Sequence, residues 1–292
     1  MTEDSRNTAA GRGATQNSAL QNSAAQDTPA GHSALQNSAR QNSATQNRAA
    51  VVTGASTGIG EATVRALRAE GWTVFAVARR AERLAALEAE TGAVGIPADI
   101  AEDADVDRLL ARVAEAGGVG TLINIAGGAR GADPVGAAST EDWEWMYRVN
   151  VLGTMKITRA FLPMLRANGE GTVLNLTSTA GLAAYEGGGG YNAAKFAQHA
   201  LTGALRLEEA EHNVRVIEVA PGLVYTEEFA LNRLGDREAA EKVYRGVEKP
   251  LTADDVADVV RYAVSAPHHV NLDQIVIRPV AQASNFKIIR RN

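Results

Sequence analysis

Residues 48 to 292 predict an α/β fold, a single doubly wound parallel sheet of about seven strands with helices on both faces. Three observations carry this. Short apolar runs alternate along the chain with stretches of helical periodicity. The first of these runs leads straight into a glycine-rich turn that opens a helix. Strands separated by helices imply right-handed crossovers and a sheet covered on both sides.

The elements read in order as follows. Ala50-Val51-Val52 is the first strand, and Glu61 to Glu70 carries apolar residues at helical spacing. Thr73 to Val77 is a strand, Ala81 to Glu90 a helix, and Ala93 to Ile96 a strand. Asp103 to Ala116 reads as a helix, Thr121 to Asn124 as a strand, and Thr140 to Ala167 as one long or broken helix. Thr172 to Leu176 is a strand, Tyr191 to Glu211 a helix, and Val214 to Val219 a strand. Helical segments near Glu228 to Tyr244 and from Thr252 to Ser265 precede a last strand, Gln274 to Ile277. Thr252 with Asp255 has the form of a capping box.

The first 47 residues differ from the rest: Gln16-Asn17-Ser18-Ala19 recurs at Gln21 to Ala24, Gln36 to Ala39 and Gln41 to Ala44. Such a polar repeat buries too little apolar surface to offset the entropy of ordering, which predicts a disordered tail. It has no apolar core of a secretory signal; a start site assigned upstream of the true domain is the other reading. Residues 48 to 292 are read as one domain. The net charge of -5 gives no reason to expect nucleic acid or an anionic membrane as partner. The absence of cysteine excludes disulfides, thiolate metal sites and a thiol nucleophile, and fits a cytoplasmic location. No apolar run is long enough to suggest a membrane span. His268-His269 shows no matching third ligand, so no metal is expected.

Gly54, Gly58 and Gly60 follow a strand and open a helix, with Ser56, Thr57 and Ile59 between them. A turn of this kind lets backbone approach a pyrophosphate whose charge the helix N-terminus holds, which makes the sheet Rossmann-like. The second strand ends in Ala78-Arg79-Arg80. An acid there would bind the ribose hydroxyls of NAD; arginines suit a 2′-phosphate, so NADP(H) is favoured over NAD(H). The alternative is that Arg79 and Arg80 only begin a solvated helix. Asp99, followed by Ile100, is placed either to bond adenine or to cap a helix. Asn124 opens Asn124-Ile125-Ala126-Gly127, beside the adenosine.

Tyr191 and Lys195 lie four residues apart, on one helical face, downstream of Ser178. A free phenol is a poor base at neutral pH, and a neighbouring ammonium stabilises its anion. Tyr191 can then give a proton to a carbonyl oxygen or take one from an alcohol. Ser178 can donate a hydrogen bond to the developing alkoxide.

With the glycine turn, the Asn124 segment, an isolated Asn150, Ser178, Tyr191-x-x-x-Lys195, Pro221-Gly222 and Thr226, the chain resembles the short-chain dehydrogenase/reductase family over nearly all of residues 48 to 292. The resemblance implies that Lys195 holds the nicotinamide ribose and that Asn150 orders a water linking Lys195 to solvent. It also implies that Pro221, Gly222, Val224 and Thr226 form the loop that binds the carboxamide. One departure is Ile125, where the family has a second asparagine. Another is the run Gly187 to Gly190, which costs about 1 kcal/mol or more per residue to order and is expected to order with ligand.

The second half is similar to NADP-dependent 3-hydroxy acid dehydrogenases, also described as serine dehydrogenases or malonic semialdehyde reductases. Pro221 to Val224, Glu228-Phe229, Asn232-Arg233, Leu251-Thr252, Pro267 to Asn271 and Arg278-Pro279-Val280 carry the likeness. It implies small 3-hydroxy or 3-oxo acids and a homotetramer. Arg233 is the candidate for a substrate carboxylate, with a surface ion pair as the other reading; Tyr185, Glu186 and Phe229 are candidates for the pocket wall. Two alternatives stand beside this one: the same chemistry on a larger aldehyde or ketone, and a cofactor-sensing binding protein on the same fold.

Overall fold

A computed structural model of the chain describes residues 48–226 and 228–291. The tail read over residues 1 to 47 lies outside the described residues. The strands are β1 (Ala49–Thr53), β2 (Thr73–Ala78), β3 (Val94–Pro97), β4 (Thr121–Asn124), β5 (Thr172–Leu176), β6 (Arg215–Pro221) and β7 (Gln274–Ile277). They form one parallel sheet in the order β3-β2-β1-β4-β5-β6-β7. The helices are α1 (Gly58–Ala69), α2 (Ala81–Thr91), α3 (Asp103–Glu115), α4 (Thr140–Tyr147), α5 (Thr154–Asn168), α6 (Gly189–Glu209), α7 (Phe229–Leu234), α8 (Arg237–Tyr244) and α9 (Ala253–Ser265).

Alternation along each strand assigns residues to the two faces. Ala50 and Val52 of β1 pack with Val64 and Leu67 of α1, Leu84 and Leu87 of α2, and Val256 and Val260 of α9. Val51 packs on the other side with Leu109 and Val113 of α3, Ile157, Phe161 and Leu165 of α5, and Leu205 of α6. Burial on both faces explains why the strands read as continuous apolar runs. Strand order reverses between β1 and β4, so a crevice opens past their carboxyl ends, where this topology binds ligands.

Local chemistry sets the boundaries that matter for the site. The stretch Thr140 to Ala167 is broken: α4 passes through a π-helical segment, Arg148–Gly153, into α5. Such an insertion turns side chains off the helical register, and Asn150 lies within it. The helix carrying Tyr191 begins at Gly189, one half-turn earlier than its apolar pattern suggests. The segment from 228 to 244 is two helices, α7 and α8, the second capped by Asp236, whose side chain accepts from the Ala239 N–H at 2.7 Å. Thr252 and Asp255 close the expected capping box on α9, each side chain accepting from the other's backbone N–H. Among the described residues no helix is long and apolar enough to cross a membrane.

Candidate active site

The β1–α1 turn is built from close backbone contacts. Gly54 has φ +72, and a Cβ on it would lie 2.9 Å from the Ala126 nitrogen. A Cβ on Gly60 would collide with the Gly54 carbonyl oxygen. Thr53 Oγ1 accepts from the Ile125 and Ala126 N–H groups, each at 3.0 Å, and so joins the exits of β1 and β4. Ile125 packs at the margin of the core, as Ile59 does, which accounts for the apolar side chain there. Thr57 caps α1 without a side-chain bond, so N–H donors at the helix start stay open to an anion. Thr226 faces this turn: its methyl would lie 3.3 Å from a Cβ on Gly58. The Thr226 hydroxyl is buried without a partner among the described residues. A bare turn, open helix N–H groups and an orphaned hydroxyl fit a bound nucleotide.

At the end of β2, Arg80 reaches back to the turn, donating to Ser56 Oγ from Nη2 at 3.0 Å and from Nε at 3.2 Å. Arg79 is exposed, with Asp99 at 4.0 Å. Asp99 Oδ1 accepts from the Ala101 N–H at 3.0 Å, while Glu102 is the residue that caps α3. Ile100 is buried against Gly153. Asn124 is also buried and points inward, its Nδ2 donating to Asn175 Oδ1 at 2.9 Å and Thr158 Oγ1 at 3.1 Å.

Ser178, Asn150, Tyr191 and Lys195 come together above β4 and β5. Ser178 opens a short turn, accepting from the Ala180 N–H at 3.1 Å and facing the Pro221 carbonyl at 3.4 Å. Asn192 Nδ2 donates to the Ala180 carbonyl at 2.8 Å and ties that turn to α6. Lys195 Nζ donates to Gln198 Oε1 at 2.7 Å and to the Leu176 carbonyl at 3.2 Å, and lies 5.8 Å from the centre of the Tyr191 ring. Asn150 Nδ2 donates to the carbonyls of Met146 and Gly128 at 2.7 and 2.9 Å. A Cβ on Gly127 would lie 2.5 Å from Asn150 Oδ1 and 3.7 Å from Lys195 Nζ, so the two side chains converge on that bare backbone. In the run before Tyr191, Gly188 packs on the Tyr185 ring and Gly190 on Met146 and Trp143. A side chain at either position would collide with these neighbours, which accounts for the glycines there.

Burial dominates the electrostatics. Desolvation raises the Tyr191 phenol above its usual value, against the opposing pull of Ser178 and Arg233. Desolvation lowers the Lys195 ammonium to about 7, with the buried Glu218 carboxylate opposing it. A folded-state value below the unfolded one means the unfolded chain binds more protons between about pH 7 and 10, so stability rises with pH across that window. Comparing wild type with Lys195→Met by urea unfolding at pH 7 and pH 9.5 isolates the effect. The difference is expected to move toward wild type by a few kcal/mol at the higher pH; no movement would mean that Lys195 keeps an ordinary ammonium.

On the other side of Tyr191, α7 brings Phe229 edge-on to its ring at 5.7 Å. The Arg233 guanidinium lies 5.8 Å from the same ring and donates to three neutral acceptors: the Gly187 carbonyl at 2.9 Å, Tyr185 Oη at 3.0 Å and the Gly131 carbonyl at 3.1 Å. Glu186 is exposed on the loop before Gly187. Pro221 ends β6, and the Gly222 N–H donates to the Ile277 carbonyl at 2.7 Å. Val224 bridges to Leu251. Among the described residues no cluster of three metal-ligating side chains occurs. Sequence reading missed Asn192 and Gln198; the only signal for either was its position on the Tyr191–Lys195 helix.

Comparison with known proteins agrees with this geometry. The family model for short chain dehydrogenase matches residues 48–235. An uncharacterized oxidoreductase of Mycobacterium tuberculosis is 51% identical over 81% of this chain and 93% of its own. An NADP-dependent 3-hydroxy acid dehydrogenase of Salmonella typhi is 37% identical over 80% of this chain and 95% of its own. The closed form of a serine dehydrogenase complexed with NADP+ superposes with a TM-score of 0.79 at 36% identity, covering 84% of this chain and all of that one. The chain therefore belongs to the short-chain dehydrogenase family and is an oxidoreductase acting on CH–OH groups.

Proposed function

We propose that the protein is an NADP(H)-dependent oxidoreductase that interconverts the carbonyl and alcohol of small 3-oxo and 3-hydroxy acids, of the malonic semialdehyde, 3-hydroxypropionate and serine type. The names of two of the relatives above support both the cofactor and the substrate class. One observation carries the substrate reading: a guanidinium that has only neutral acceptors among the described residues stands 5.8 Å from the Tyr191 ring, close enough to hold the carboxylate of a small acid whose reacting oxygen meets the phenol.

The nucleotide, when bound, supplies or accepts the hydride. Gly54, Ser56, Thr57, Gly58, Ile59 and Gly60 hold its phosphates in this reading, and Thr226 presents its unpartnered hydroxyl beside them. Arg80, with Arg79 near it, takes the 2′-phosphate. Asp99 and the backbone of Ile100, Ala126 and Gly127 line the adenosine side, while Asn124, expected there, turns inward and braces the end of β4 through Asn175 and Thr158; Pro221, Gly222 and Val224 line the carboxamide side. In reduction Tyr191 gives its phenolic proton to the substrate oxygen while Ser178 donates a hydrogen bond to it. Lys195 supports the phenolate that results, and Asn150 positions the route by which the proton is replaced. Residues 48–292 act as one catalytic domain. Exposed Val276, Val280, Phe286 and Ile289 offer apolar surface for self-association, and the resemblance implies a homotetramer as its form.

Arg233→Ala tests the substrate class. For a 3-hydroxy acid, KM is expected to rise about tenfold to a hundredfold, the loss of a charge-assisted bidentate contact, while KM for the corresponding methyl ester stays unchanged. An equal rise for acid and ester would show that Arg233 only shapes the loop.

A further inference from the structure

A carboxylate already occupies the guanidinium read above as the 2′-phosphate ligand. Glu228 grips Arg80 through both oxygens, Nη1 to Oε1 at 2.8 Å and Nη2 to Oε2 at 3.0 Å. The pair spans 148 residues of sequence, and both side chains are partly shielded from solvent. Arg80 holds the Glu228 carboxyl below its usual range, so the acid is ionised at neutral pH. A planar fork meeting two oxygens is also how a guanidinium meets a phosphate monoester. Ser56 Oγ accepts from the same guanidinium at 3.0 Å, which leaves its hydroxyl proton to donate to a phosphate oxygen.

Glu228 is also the residue immediately before α7. That helix has six residues, anchored near its end by the Arg233 bonds to the Gly131 and Gly187 carbonyls and at its start by the Glu228–Arg80 pair. It carries Phe229 and Arg233, the two side chains that close over Tyr191.

We propose that Glu228 is a placeholder for the ribose 2′-phosphate, and that a cofactor carrying this phosphate displaces it from Arg80 and thereby unpins the start of α7, where Phe229 meets Tyr191. This rests on the reading of Arg80 given under Proposed function. A carboxylate and a phosphate cannot share one fork, because like charges at such separation repel. The phosphate, with the larger charge and a third oxygen, wins the exchange. A 2′-hydroxyl is neutral and leaves the pair intact, so NAD(H) binds with α7 still tethered. The two cofactors then differ in the state of the substrate-covering helix as well as in affinity.

The test is binding of NADPH, NADH, 2′,5′-ADP and 5′-AMP to wild type, Glu228→Gln and Arg80→Gln, with hydrogen exchange across residues 222–234. In Glu228→Gln, Kd for NADPH and 2′,5′-ADP is expected to fall about three- to fivefold, the scale of one partly exposed ion pair. Kd for NADH and 5′-AMP is expected to stay the same. Exchange at the start of α7 in wild type should rise with 2′,5′-ADP and not with 5′-AMP, and Glu228→Gln should show the raised level without ligand. If Arg80→Gln loses its preference for NADPH while Glu228→Gln binds NADPH no better than wild type, the placeholder is wrong and the cofactor reading stands. If Glu228→Gln tightens NADH and NADPH equally, Glu228 does not answer to the phosphate and the proposal fails. If Arg80→Gln binds NADPH as wild type does, the cofactor reading fails and takes the proposal with it.

Discussion

Tyr191→Phe is expected to lower kcat by about 10²–10⁴-fold, the usual worth of a positioned general acid–base group. The substitution removes one oxygen and keeps the ring, so the edge contact with Phe229 and the packing of α6 are preserved. Burial holds the phenol protonated at neutral pH, which leaves the free protein set to donate a proton to a carbonyl. In the oxidative direction the same burial must be overcome by charge placed beside the phenol, and Lys195 is the side chain positioned to supply it. NADPH titration of the variant checks that only the chemistry is lost: unchanged affinity with collapsed turnover is the expected pair of results. Turnover kept at near the wild-type level would remove Tyr191 from the mechanism and revive the reading of a cofactor sensor.

Gly60→Ala is expected to weaken nucleotide binding by about 100-fold or more and to destabilise the fold by about 1–3 kcal/mol, the cost of overpacking against unyielding atoms. The new methyl would meet the Gly54 carbonyl oxygen, which is backbone and has no rotamer to retreat into. Gly54 cannot give way either, because it is closed against Ala126. The start of α1 must therefore shift, and with it the N–H groups read as holding the pyrophosphate. Fluorescence titration with NADPH and urea unfolding report the two effects separately. An alanine variant that binds NADPH normally would show that the turn is not the phosphate cradle.

Much of this arrangement is legible in the amino-acid sequence. The strands could be read because burial on both faces of a parallel sheet leaves short, unbroken apolar runs such as Val51-Val52 and Val173-Leu174. The capping box at Thr252 and Asp255 was visible because both partners lie within one turn. The Tyr191–Lys195 pair was visible for the same reason. What could not be read is either subtle in register or distant in sequence. The π-helical turn around Asn150 adds its offset without a proline, and its one glycine, Gly153, stands at its end, so periodicity alone passes over it. The bond from Lys195 to Gln198 is local, but glutamine at that spacing is compatible with a surface residue until its full burial is known. The grip of Glu228 on Arg80 joins two segments that only the fold brings together. The glycines before Tyr191 looked like slack chain, because the bulky neighbours that require them, Trp143 and Met146, lie on another helix.

The most direct test of the central claim is the initial rate of cofactor reduction by purified protein with 3-hydroxypropionate and L-serine, NADP+ against NAD+, run beside NADPH oxidation with malonic semialdehyde and with bulky aldehydes and ketones. The account predicts turnover of the small acids, with kcat/KM for NADP+ exceeding that for NAD+ by about tenfold or more, as loss of a charge-assisted phosphate contact would give. Turnover confined to bulky carbonyls would overturn the substrate assignment, a preference for NAD+ would overturn the role given to Arg80, and tight NADPH binding without turnover of any substrate would contradict the account as a whole.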